Sequence, residues 1–234
     1  RDRDVTGVQT CALPILKTDE QRQRLLAIIN HDVQRLDRLI SDISNASRLD
    51  AELSRARAEP ADVGQMLTML ANIHDATLGN AEALRQAAEE AGGDAAEVQA
   101  PVRVEVDMPN TKSGLVVPGL EGRLTQVFQN LLSNALSFSP AGGVVRFKAR
   151  SFPDRVEITC EDQGPGIPEA KLDAIFDRFY SERPKSEAFG KHSGLGLSIS
   201  KQIIDAHQGR IFADNIKGLD GTVQGARFTV VLPR

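Results

Sequence analysis

Four short stretches carry residues that could do chemistry. NLLSNA places Asn130 and Asn134 four apart, so both carboxamides project from one face of a helix. DQGPGIP follows a strand-like run and sets Asp162 ahead of Gly164, Gly166 and Ile167. IFDRFYS puts Phe176 and Phe179 around an Asp-Arg pair. SGLGLS runs Ser193, Gly194 and Gly196 straight into an apolar-periodic segment. Small residues at a helix start let backbone amides reach an anion, so the last stretch suits a phosphate. It equally suits a tight turn ahead of a core helix. Singly, a Gly-rich turn is usually only a turn, and an Asn pair usually faces solvent. Their order and spacing together are specific.

These stretches need elements to position them. The most regular segment is Thr18 to Leu53. Thr18 and Gln21 form a capping box, and Leu26, Ile29, Val33, Leu36, Ile40 and Ile43 recur at spacings of 3 and 4. Such a narrow apolar seam asks for partner helices. RARAEPADVGQMLTML predicts a short strand, then an amphipathic helix from about Ala61. The Ala/Glu-rich stretch with Gly92-Gly93 loses its period and reads as a helix end and a mobile insertion over about 78–100. VRVEVDMP alternates as a strand does, and GLVVPG adds another. Glu121 to Phe138 is a second strong helix, with Leu124, Val127, Phe128, Leu131, Leu132 and Ala135 on one face. GGVVRFKARSF and RVEITCED read as strands paired around Pro153-Asp154. Lys171–Phe179 reads as a short helix, 181–193 as a polar loop, and Ser193 to about His207 as a third helix. GRIFADN and GARFTVVLP close the sheet. Strands and helices mix without a βαβ repeat, which predicts an α/β fold, a two-layer α/β sandwich.

Bulk properties exclude several classes. The net charge of −4 and the lack of a dense Lys/Arg tract speak against nucleic acid. No apolar run approaches the roughly eighteen residues a membrane span needs, and no signal peptide is visible. Cys11 and Cys160 make neither a disulfide framework nor a metal pattern, so a reducing, cytoplasmic setting is the default. Val5 to Ile15 reads VTGVQTCALPI, which resembles the translation of a common short-read library adapter. Residues 1–15 are therefore expected to be non-native, and the natural protein is expected to continue upstream.

In order and spacing the chain resembles the ATP-binding domain of sensor histidine kinases, the fold shared with gyrase, Hsp90 and MutL ATPases. QVFQNLLSNALSFSP looks like the N box, DQGPGIP the first glycine box, IFDRFY the F box and SGLGLS the second glycine box. GARFTVVLP is similar to the closing glycine motif, and RLISDISNASRLD to the second helix of the dimerisation and phosphotransfer hairpin. RPKSEAFGKHSGLGLSIS looks most like the ChvG-type subfamily. The resemblance covers residues 16–234. It implies a Bergerat fold, a mixed sheet with three helices, preceded by one long helix. The implied domains are 16–56, half of the hairpin, and 57–234, the catalytic part.

The resemblance assigns ATP and Mg²⁺ as cofactors. Asp162 would accept the adenine amino group, Gly164 and Gly166 would let backbone approach the ring, and Ile167 would line it. Asn134 would ligate Mg²⁺, and Asn130 would lie near the transferred phosphate. Ser193, Gly194, Leu195, Gly196 and Leu197 would carry the triphosphate, with Arg178, Lys191 and His192 flanking a loop that closes over it. Phe138 and Tyr180 are candidate walls, plain core packing being the equal alternative, and Phe179 and Thr222 complete the set. Three positions depart from the family: Ser137 where Lys or Arg is common, Gln163 for Asn, and His192 for Gly or Asn.

A parent kinase would phosphorylate a histidine and pass the group to the aspartate of a response regulator, its partner. It would be a homodimer through the helix at 18–53 and reach a bacterial inner membrane only through upstream segments. His31 is followed by Asp32, but no Pro follows and it lies off the seam; His207 looks structural. No phosphoacceptor is therefore expected in this chain. The alternatives are a gyrase-like ATPase, which would carry a Glu base where Asn130 stands, and a non-catalytic nucleotide-binding or dimerisation module.

Overall fold

The structure, a computed structural model, describes residues 57–90, 100–108, 114–178, 180 and 194–234, together with scattered helical positions between 23 and 33; for 81–90 it describes the backbone only. In chain order the elements are β1 (Glu59–Asp62), α1 (Val63–Glu90), β2 (Arg103–Asp107), β3 (Val116–Gly119), α2 (Glu121–Phe138), β4 (Val144–Ser151), β5 (Arg155–Glu161), α3 (Gly196–Ala206), β6 (Arg210–Lys217) and β7 (Val223–Pro233). Single 3₁₀ turns occupy Glu169–Lys171 and Ala174–Phe176.

Alternation explains the main sheet. Val145, Phe147 and Ala149 of β4, Val156, Ile158 and Cys160 of β5, and Phe228, Val230 and Leu232 of β7 all turn to one face and are buried. The intervening residues hold ion pairs on the opposite face: Arg146–Glu105 at 2.7 Å, Lys148–Glu161 at 2.8 Å and Arg150–Asp107 at 2.7 Å. Exposed pairs of this kind contribute about 0–1 kcal/mol each, so that face is solvated rather than sticky. The strand order is β2-β4-β5-β7-β6. β2 and β4 run parallel, and the other neighbours run antiparallel. β1 and β3 form a separate antiparallel pair.

The helices cover the apolar face. All six residues expected on the inner face of α2 are buried, with Phe128 and Leu124 fully so. Ile199, Ile203 and Ile204 do the same for α3, and Val63, Met66, Leu67 and Leu70 for α1. This is the expected two-layer α/β sandwich: a mixed sheet packed against α1, α2 and α3. No helix of the described residues is long and apolar enough to cross a membrane.

α2 begins without a side-chain cap of its own. Instead the Leu120 N–H donates to Nε2 of His207 at 3.0 Å, while Nδ1 of the same ring lies 2.7 Å from the Ile203 carbonyl. The carbonyl can only accept, so the ring's proton sits on Nδ1 and Nε2 is left to accept. His207 is thus structural, as its place at a helix end suggests.

Three boundaries differ from expectation. α1 continues to Glu90, into the stretch read as an insertion from about 78; Ala-rich sequence sustains a helix even where its apolar period fades. The described residues 171–178 do not form an α-helix. Pro168 opens a run closed only by i to i+3 bonds, and Asp177 is already extended. The third helix starts at Gly196 rather than Ser193, because Gly194 has φ +71°, a left-handed conformation that no helix contains. On the first helix, Leu26, Ile29 and Val33 are exposed. Leu36, Ile40 and Ile43 lie outside the described residues, as do 1–15 and His31.

Candidate functional site

Asp162 is the residue after β5, where the strand stops pairing through side-facing groups and turns. It is 5% exposed, unusual for a carboxylate. Its Oδ1 accepts two backbone N–H bonds, from Gly164 at 2.8 Å and from Ala226 at 3.1 Å. Its own N–H donates to the Ala226 carbonyl at 3.0 Å. Both amides hold Oδ1, which leaves Oδ2 available to a donor from outside the protein. Burial pushes the carboxyl above its ordinary range, against the opposing pull of the Ala226 and Gly164 amides.

The neighbouring glycines are sterically required. A Cβ on Gly164 would stand 2.8 Å from the Phe138 carbonyl oxygen and 3.0 Å from Asp162 Oδ1. Gly166 has φ +78°, and a Cβ there would overlap Val223 and approach Asn215 Oδ1 at 2.7 Å. On β7 a Cβ at Gly225 would collide with the Asp162 carbonyl oxygen. The turn from Asp162 to Ile167 is therefore pressed between the end of α2 and the β6–β7 pair, with its carboxylate aimed by backbone.

The asparagines divide their labour. Asn130 donates from Nδ2 to the Gly196 carbonyl at 3.0 Å and to Ser200 Oγ at 3.2 Å, while Ser200 Oγ donates to the same carbonyl at 2.8 Å. That network ties α2 to the first turn of α3. Asn134, one turn on, is half-buried and makes no hydrogen bond to another described residue. Its carboxamide oxygen has the chemistry of a hard-cation ligand, and a Mg²⁺ beside phosphate oxygens suits it. A buried acceptor, close-approach glycines, an unpartnered carboxamide and a helix N-terminus are a donor and acceptor set that fits a magnesium-bound nucleotide.

Residues 119–234 match the family described as "Histidine kinase-, DNA gyrase B-, and HSP90-like ATPase". The chain is 44% identical over 224 residues to the sensor protein ChvG of Agrobacterium fabrum, covering 94% of this chain and 35% of that one. It spans about a third of the curated relatives that it matches first. The full-length ShkA structure in complex with AMPPNP is similar at 25% identity and TM-score 0.61, over 94% of this chain and 40% of that one. The histidine kinase ThkA in complex with response regulator protein TrrA shares the fold, at 20% identity and TM-score 0.65, over 93% and 53%.

Residues 119–234 carry that ATPase domain, and the chain is similar to sensor proteins such as ChvG.

In this ATPase domain the other predicted residues are spread. Gly194 and Gly196 stand at the start of α3; Leu195 is a buried core residue whose carbonyl accepts from Ser198 and Ile199, and Leu197 packs on the core. Phe138 is half-buried at the C-terminal end of α2, its carbonyl against Gly164. Tyr180 packs partly into the core, with the Lys171 ammonium 5.7 Å from its ring centre. Arg178 is exposed. Thr222 sits in the exposed β6–β7 turn, where its hydroxyl donates to Asp220 at 2.6 Å and its N–H to the same oxygen at 3.1 Å. Phe179, Lys191, His192 and Ser193 lie outside the described residues.

Sequence reasoning missed Asn215, Gly225, Ala226 and Ser200. Asn215 had a signal: an amide at an inward position of a strand that begins with buried Ile211. A cavity of about 750 Å³ lies elsewhere, lined by α1 together with Asp62, Met108, Gly114 and Leu115, and takes none of the predicted residues. Cys160 is buried in the core with its thiol pushed up by that burial, so it offers no nucleophile.

Proposed function

We propose that residues 57–234 form the ATP-binding catalytic domain of a two-component sensor kinase, and that 16–56 is the second helix of its dimerisation hairpin. The observation that carries the reading is Asp162: a buried carboxylate with one oxygen held by two amides and the other open. That oxygen accepts the adenine 6-amino group. Gly164 and Gly166 keep side chains away from the ring, and Ile167 and Phe138 exclude water from it. Asn134 offers its oxygen to Mg²⁺, which when bound neutralises phosphate charge and orients the γ-phosphoryl group. Asn130 holds the first turn of α3 in place, so that the amides at Gly194–Leu197 face the phosphates. Arg178, Tyr180, Lys191, His192, Ser193 and Thr222 would complete the pocket's rim.

The complete protein would then place a γ-phosphoryl group on a histidine upstream of residue 16 and pass it to a response-regulator aspartate. It would act as a homodimer anchored in a membrane by segments outside this chain. Asn130 favours this over a water-activating ATPase, because a carboxamide bound to Gly196 and Ser200 is no general base. The test mixes this chain with Mg·ATP and a separate polypeptide carrying the acceptor helix of a relative. Acid-labile phosphohistidine on that helix supports the kinase. Free phosphate alone supports the ATPase, and neither product reduces the chain to a nucleotide-binding module.

A further inference from the structure

The turn Asp162–Ile167 has two ends, and both are held from the same place on the sheet. At its first end, Ala226 of β7 donates its N–H to Asp162 Oδ1. Directly across the ladder from Ala226 is Asn215 of β6. At the turn's second end, the Asn215 carboxamide takes both backbone groups of Ile167. Its Oδ1 accepts the Ile167 N–H at 2.7 Å, and its Nδ2 donates to the Ile167 carbonyl at 2.7 Å. A carboxamide used this way replaces a missing strand neighbour, satisfying a donor and an acceptor that no other described residue meets. Gly166 fits beneath the same side chain: a Cβ there would come within 2.7 Å of Asn215 Oδ1. The residue is half-buried and lies beyond the N box and both glycine boxes in sequence.

We propose that Asn215 is a positioning residue for base recognition: by clamping Ile167 it sets the Gly164–Ile167 turn at the distance from Asp162 that a 6-aminopurine needs. This rests on the nucleotide reading above. One cross-strand pair, Asn215 and Ala226, thereby fixes both the acceptor and the floor of the adenine site. Only a side chain that donates and accepts in one plane does this. Aspartate has the shape but, when ionised, sets a carboxylate oxygen against the Ile167 carbonyl.

The experiment is calorimetric titration of the full chain with Mg·ATP and with the magnesium complex of purine riboside triphosphate, which lacks the 6-amino group. Asn215→Asp and Asn215→Ala are each expected to weaken ATP about tenfold, the scale of one hydrogen bond lost from a desolvated site. The amino-free analogue should bind all three proteins alike, so the preference for ATP collapses. An exchange-protected Ile167 amide in the unaltered chain that becomes unprotected in Asn215→Ala, which removes its acceptor, is the expected spectroscopic signature. Folded variants that keep the ATP preference overturn the role of Asn215. Variants unfolded at 25 °C by circular dichroism overturn it too, since the residue would then serve the fold at large. An unaltered chain that does not prefer ATP overturns the nucleotide reading itself.

Discussion

Replacing Asp162 by Asn separates its two duties. Asn keeps an oxygen where Oδ1 accepts from Gly164 and Ala226, at 2.8 and 3.1 Å, so the turn should hold. It places an NH₂ where Oδ2 stood, and that donor would face the donating amino group of adenine. One lost hydrogen bond in a dry site, with two donors opposed, costs about 1–3 kcal/mol, or roughly five- to 150-fold in affinity. Asp162→Ala differs. It leaves two buried amides without acceptors, at about 1–3 kcal/mol each, out of a total stability of about 5–15 kcal/mol. Asn should therefore lose binding and keep its melting temperature, while Ala loses both. The assay is calorimetric titration with a non-hydrolysable ATP analogue, run beside thermal denaturation of each variant. Unchanged affinity in Asp162→Asn would remove the residue from base recognition. Equal destabilisation by Asn and Ala would refute the claim that Oδ1 is held by amides that any planar oxygen satisfies.

Asn134→Ala is expected to weaken magnesium-dependent ATP binding while sparing metal-free adenosine; an equal loss of both would make the residue structural. Gly225→Ala should destabilise the domain by about 3 kcal/mol, since the new methyl would collide with the Asp162 carbonyl and sit 3.2 Å from Gln163 Cα; an unshifted thermal midpoint in circular dichroism argues against that packing. Burial raises the Asp162 carboxyl above its ordinary range, so ATP affinity should begin to fall on acidification before an ordinary aspartate is protonated, and Asp162→Asn should show a flat profile by titration calorimetry across the same range. The sign for stability is opposite: in that window the folded chain binds the proton more readily than the unfolded one. This group's contribution is therefore better at the acid end and is lost as pH rises through the window.

Much of the fold was legible because its signals are local. The inner face of α2 follows from a 3.6-residue period, and Leu124 through Ala135 are buried as that period requires. The hairpin of β4 and β5 follows from alternation around Pro153-Asp154. The order of the N box, the glycine boxes and the closing strand resembles one family, and that resemblance implied the ligand class. Boundaries were less legible. Gly194 could be helical or left-handed by composition alone, and only its φ of +71° moved the start of α3 to Gly196. The run after Pro168 has a helix's composition, but it closes only i to i+3 bonds and so forms 3₁₀ turns.

What tertiary structure alone decided is who holds whom. Asp162 and Ala226 are 64 residues apart, Ile167 and Asn215 are 48 apart, and Leu120 and His207 are 87 apart. No period or propensity encodes such pairs, since each depends on sheet order and register. That β7 lies between β5 and β6 brings the Ala226 amide to the carboxylate and the Asn215 carboxamide to the turn. The sequence pointed to Asp162, the glycines and the asparagines as candidates. The register of two antiparallel strands determined which oxygen of Asp162 is left open, because backbone amides have no side-chain identity to read until the sheet has formed.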